Sequence, residues 1–137
     1  MNRRFLILLL TVLLAWPLSG WGEDRADLYL KTADKMQARG YPEAALDYLD
    51  RAIEIRPDHV RALLSRGFLH LGRGEVDAAL ADFSRVIEIE PGEPAHYVTR
   101  GLALNQSGKR EPAAGDFRKG CELGDQSACD LLHEMNR

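Results

Sequence analysis

The residues able to do chemistry are few and scattered. The four histidines are His59, His70, His96 and His133, and none belongs to a His, Cys or Asp-rich cluster with metal-ligand spacing. A zinc site needs three or four such ligands converging on one point, so no metal is expected. No nucleophile elbow, phosphate loop or dinucleotide fingerprint is present; the glycines punctuate helical stretches instead. Acid pairs such as Glu88 with Glu90, or Asp24 with Asp27, read as solvated helix surface rather than a general acid–base couple. The chain is therefore read as a non-enzyme with no cofactor, and a small enzyme or metal carrier is the remote alternative. Cys121 and Cys129 stand eight residues apart. On one unbroken helix they would be about 12 Å apart, whereas a disulfide needs Cα atoms within about 4.4–6.8 Å. Gly124-Asp125 interrupts the helix between them. Two outcomes stay open: a bond, or two buried free thiols packing as small hydrophobes.

The elements that hold these residues start after an address. Arg3 and Arg4 precede an uncharged apolar run, Phe5 to Trp16, of 12 residues. As a helix it spans roughly 18 Å, short of the about 30 Å hydrocarbon core of a bilayer. Pro17 breaks it, and Ser19-Gly20-Trp21-Gly22 reads as small and turn-like. Residues 1–22 are expected to be a secretory signal peptide cleaved after Gly22, with Gly20 the alternative. No cysteine lies near it, which excludes a lipoprotein anchor. A chain starting at Glu23 would carry 16 bases and 21 acids, a net charge of −5. Such a chain has no electrostatic reason to bind nucleic acid. Localisation is expected to be periplasmic or secreted, with no membrane insertion after cleavage.

Residues 23–137 form one domain built on a repeat of 34. Gly40, Gly74 and Gly108 align under that shift, as do Ala45, Ala79 and Ala113. Pro57 aligns with Pro91, Phe83 with Phe117, and Gly67 with Gly101. Units 26–59 and 60–93 share 11 of 34 positions; units 60–93 and 94–127 share 7, so the third has drifted. Each unit holds two helical stretches: about Ala26–Ala38 and Pro42–Ile55 in the first, Pro94–Gln106 and Glu111–Leu123 in the third. A Gly-x-x-x-x-Ala turn, a terminal proline and small residues at the helix contact resemble the tetratricopeptide repeat. The residues that carry the likeness are Tyr29, Tyr97, Gly67, Gly101, Ala52, Phe83, Phe117 and the glycine, alanine and proline series above. Unit one departs with Ala33 for the contact glycine, and unit three with Gly120 and Asp125. The resemblance implies an all-α, right-handed α/α solenoid of three helix-turn-helix repeats.

One helix pair cannot bury its apolar face alone, and stacking three makes a continuous core. Residues 126–136 are expected to cap the end through Ala128, Leu131, Leu132 and Met135, with Asp125 as N-cap. Arg66 and Arg100 share a phase, and Asp82 and Asp116 share another 16 residues later; unit one lacks both. An Arg–Asp bridge between the two helices of units two and three is expected. CELGDQSAC resembles the C-x(7)-C element of Sel-like helical repeat proteins. That likeness implies a disulfide between Cys121 and Cys129.

The family resemblance also implies a concave groove lined by the first helix of each pair. By phase, the groove-facing side chains are Asp27, Leu30, Lys31, Asp34 and Gln37 in unit one. Arg61, Leu64, Ser65, Phe68 and Leu71 follow in unit two, and Ala95, Val98, Thr99, Leu102, Asn105 and Gln106 in unit three. The alternative places Leu64 and Leu102 in the core. Some family members grip a chaperone's terminal carboxylates with Lys, Asn and Arg on this face. Here those phases hold Leu30, Asp34, Ser65, Ala95 and Thr99, so that clamp is absent. The expected function is an exported protein–protein interaction module, an adaptor or assembly factor of the cell envelope, binding a segment of another protein. The alternative is a self-associating structural unit, a homo-oligomer.

Overall fold

The computed structural model describes residues 19–135 and 137, with side chains from Arg25 onward. The apolar run 5–16 lies outside the described residues. Seven helices follow in order: α1 (Ser19–Ala38), α2 (Pro42–Ile55), α3 (Val60–Gly72), α4 (Val76–Ile89), α5 (Pro94–Gln106), α6 (Arg110–Glu122) and α7 (Gln126–Met135). Each packs on its chain neighbours, so the fold is an all-α stack of three helix pairs with a seventh helix at the end. One expectation fails: Ser19 to Gly22, read as a turn before a helix starting at Ala26, are the opening turn of α1. Once a helix is nucleated each added residue brings a hydrogen bond, which outweighs the poor propensity of two glycines. Among the described residues no helix is long and apolar enough to cross a membrane.

The turns inside the units are one motif used three times. Tyr41, Glu75 and Lys109 donate their backbone N–H to Met36, His70 and Leu104 at 2.9 Å. The residue before each donor is Gly40, Gly74 or Gly108, with φ of 81°, 76° and 80°. This six-to-one bond around a left-handed residue closes a helix and demands glycine. The same device recurs at Gly124, where units one and two instead end on Pro57 and Pro91. Between helices of a pair, the contact is equally specific. Phe83 and Phe117 are 1% exposed and pack directly against Gly67 and Gly101.

The predicted bridges are present and bidentate. Arg66 donates Nε to Asp82 Oδ2 at 2.9 Å and Nη2 to Oδ1 at 2.7 Å. Arg100 meets Asp116 in the same way, at 2.8 and 2.7 Å. Each arginine also reaches the preceding unit, Arg66 to Asp50 at 2.7 Å and Arg100 to Ser84 at 3.1 Å. The aspartates are buried, 5% and 6% exposed. The bridges therefore tie three helices each rather than decorating a surface. The guanidinium bond to Asp82, and then to Asp50, pushes the Arg66 pKa above its already high value.

The cap forms as expected. Leu131, Leu132 and Met135 pack on Leu104, Ala113 and Phe117. Asp125 accepts the backbone N–H of Ser127 at 2.8 Å and of Ala128 at 3.2 Å. The Ser127 hydroxyl and these amides hold its carboxyl below the usual carboxylate range. The glycine turn reverses the chain and sets Cys121 and Cys129 at a Cα separation of 4.7 Å, joined as a disulfide.

Candidate functional site

The first helices α1, α3 and α5 present their i, i+3, i+4 residues to one side of the stack, because the second helices occupy the other. On that side Phe68 and Leu102 are 52% and 47% exposed. They stand 34 residues apart, at one phase of neighbouring repeats. Phe68 leans on the buried ring of Phe83 at 5.2 Å between centroids, which fixes its position while leaving one face open. Leu64 and Leu71 are half-buried against Ala79, Phe83 and Ala103. Val98 is half-buried too, close to the contact of Gly120 with Ala128.

Polar groups flank this apolar centre. At the unit-one end Lys31 and Asp34 are exposed, and Arg61 approaches Asp34 at 4.0 Å. Toward unit three, Ser65 and Thr99 are half-buried, and the Thr99 hydroxyl donates to Ala95 O at 2.9 Å. Asn105 lies exposed on the rim of a cleft also lined by Phe117, Leu131 and Met135. Leu30 departs from the expected groove: it is 2% exposed and belongs to the unit-one core with Ala33, Leu49 and Ala62. Leu49 holds the phase of Phe83 and Phe117, and here it packs with Leu30 and Ala33 in one buried cluster.

Three histidine–carboxylate pairs escape the sequence reading. His59, 8% exposed, meets Asp27 at 3.0 Å, and the same carboxylate oxygen accepts Arg56 at 2.6 Å. His96, also 8% exposed, meets Glu90 at 2.7 Å, and His70 meets Glu75 at 2.6 Å. Burial, together with the Arg56 charge, depresses the His59 pKa; Asp27 offsets only part of this. Burial raises the Asp27 carboxyl, but Arg56 and His59 outweigh it and hold it below the ordinary range. The His59 and His96 pairs sit where one unit passes to the next, so they fasten junctions rather than form a reactive centre. Asp27 is 32 residues from His59, a separation no local spacing rule finds. Among the described residues, no group of three or more His, Cys, Asp or Glu could hold a metal ion.

A family model described as tetratricopeptide repeat matches residues 24–94, the first two units. No curated protein matches the chain by sequence. Solved structures resemble it in fold. The first such repeat domain of Spaghetti (RPAP3), solved with the HSP90 peptide SRMEEVD, superposes with a TM-score of 0.72 at 18% identity. That alignment covers 83% of this chain and 92% of that one. MamA superposes at 0.69 with 29% identity over 75% of this chain, which spans 60% of MamA. An O-GlcNAc transferase of Thermobaculum terrenum superposes at 0.69 with 25% identity, covering 83% of this chain but 22% of the enzyme.

Proposed function

Because the chain belongs to the tetratricopeptide repeat family, we propose that it is a non-enzymatic adaptor that binds a segment of another protein in its groove. The observation that carries this reading is the pair Phe68 and Leu102. Large apolar side chains at one repeat phase stay about half exposed although the core beneath them is complete. Half-exposed rings and leucines on a rigid, pre-formed surface are where interface energy concentrates. The occupant is a segment with an apolar centre that packs on Phe68 and Leu102, with polar groups at its ends to meet Lys31, Arg61 and Asn105. The repeat domain of RPAP3 with its bound peptide is a precedent for the mode and not for the ligand, since the terminal-carboxylate clamp residues are lacking here.

The workplace in this proposal is the cell envelope or the secreted space. Arg3, Arg4 and the 12-residue apolar run support export through a cleaved leader. The Cys121–Cys129 pairing supports it too, because disulfides persist in oxidising compartments. It also supports reading the C-terminal stretch as a Sel-like element.

A photoreactive side chain placed at Phe68 in the native envelope tests the reading, with the same probe at exposed Ala81 on α4 as control. The expected result is one adduct from position 68, absent from position 81 and lost on Leu102→Asp. The captured segment, made synthetically, should then bind the purified chain. Adducts at both positions alike, or binding indifferent to Leu102→Asp, would falsify the groove assignment.

A further inference from the structure

Among the described residues, one stripe of α1 lacks the cover that its counterparts have. Arg25, Leu28, Thr32, Lys35 and Arg39 follow alternating steps of three and four, so they share one helix face. Moved on by one repeat, the stripe becomes His59, Ala62, Arg66, Leu69 and Arg73, and there it is sealed. His59, Ala62 and Leu69 are 8%, 0% and 8% exposed. The seal is α2, whose acids meet the stripe: Asp50 takes Arg66 at 2.7 Å and Glu43 takes Arg73 at 3.3 Å. In unit three the stripe is again closed, with His96 and Ala103 at 8% and 2%. On α1 the position of Ala62 holds Leu28, 61% exposed. Lys35 and Arg39 are exposed, and neither makes an ion pair with a described residue.

We infer that this face of α1 docks an acidic amphipathic helix of a partner protein, seated on α1 as α2 is seated on α3. The repeat itself places a second helix against this stripe in both other units. The positive charge of the face selects the chemistry of the docked helix. Lys35 and Arg39 stand one turn apart and call for a carboxylate opposite each; on α2 Glu43 meets Arg73, at the phase of Arg39, and Asp50 meets Arg66, at the phase of Thr32. Leu28, two turns before Lys35, calls for an apolar or small residue farther along the docked helix. The chain's own leader does not fit, because all 21 acids lie after residue 22. The face is distinct from the groove, so the two sites fail or stand independently.

The test uses the full chain and a stapled helical peptide with the sequence of residues 42–55, whose acids already meet such a stripe here. A second peptide carries Gln or Asn for Glu43, Asp47, Asp50 and Glu54. Fluorescence anisotropy should show saturable binding of the acidic peptide. Affinity should drop about tenfold or more for Lys35→Glu with Arg39→Glu, for Leu28→Asp, and for the uncharged peptide. Phe68→Ser in the groove should leave it unchanged, and circular dichroism should show every variant folded. No saturable binding, or equal binding by all variants, overturns the inference. So does a dimer dispersed by Leu28→Asp without peptide binding, which assigns the face to a second copy. Sedimentation with phosphatidylglycerol vesicles without peptide binding overturns it in favour of a lipid surface.

Discussion

Gly67 and Gly101 sit where a methyl group would enter an aromatic ring. A Cβ at Gly67 would stand 2.6 Å from Phe83, and one at Gly101 would stand 2.7 Å from Phe117. Both rings are 1% exposed and have nowhere to go. Gly67→Ala and Gly101→Ala should each cost about 1–3 kcal/mol through overpacking, read as a shift in urea midpoint at unchanged slope. The buried aspartates make a second residue-scale prediction. Arg100→Met strands Asp116 without its bidentate partner. Breaking a wholly buried pair costs about 3–5 kcal/mol, and the quarter exposure of Arg100 lowers the expectation to about 2–3. Arg100→Met with Asp116→Leu should recover much of that loss; a double variant as unstable as the single would show the carboxylate is not the problem. His59 sets a pH dependence. Its folded pKa lies below the unfolded value of 6.5, so the unfolded chain binds the proton more readily. Stability should hold at neutral pH and fall as pH drops below that value, and His59→Gln should flatten the decline measured by thermal melting.

At the scale of elements, α7 is the weak point. Its ten residues are too few to form a lasting helix in water, so it is helical only while docked. Docking rests on Leu131, Leu132 and Met135, on the Asp125 cap, and on the tie between Cys121 and Cys129. Closing so short a loop contributes roughly 2.5 kcal/mol by restricting the unfolded chain. The helix it docks on carries Gly115 and Gly120, each lowering helix propensity by about 1 kcal/mol relative to alanine. Reduction should therefore free the amides of α6 and α7 to exchange first and leave α1 to α4 protected. Hydrogen exchange with and without a dithiol reads this, and identical protection in both states would remove any structural role from the bond.

For the whole molecule, stability is a chain of neighbour contacts, since each helix packs on the next in sequence. Such an array need not unfold in one step. Ala79→Leu and Ala113→Leu test where the cooperative unit lies. Both alanines are 0% exposed at the crossing of a helix pair, and each change should cost about 1–3 kcal/mol. Ala79→Leu, in the middle unit, should lower the whole transition, whereas Ala113→Leu should split off an early phase from α5 to α7. The leader belongs to this scale too. If export proceeds as proposed, mass spectrometry of the exported protein should find a chain beginning at Glu23. An intact N-terminus in the membrane fraction would refute cleavage.

The architecture was legible in the sequence because a repeat writes each contact more than once. The spacing of Gly40, Gly74 and Gly108 marks the turns inside the units, and Arg66 with Asp82 declares itself by recurring as Arg100 with Asp116. Periodicity exposes what units share and is blind to what one unit does alone. Leu30 reads as groove by phase and is core in the structure, buried with Leu49 and Ala33. The partners of His59 and His96 lie outside the 34-residue register, so only folding brought them within hydrogen-bond reach. Exposure, likewise, belongs to the tertiary structure alone. Leu28 shares a phase with the sealed Ala62, and it is open because, among the described residues, no second helix packs on that side of α1.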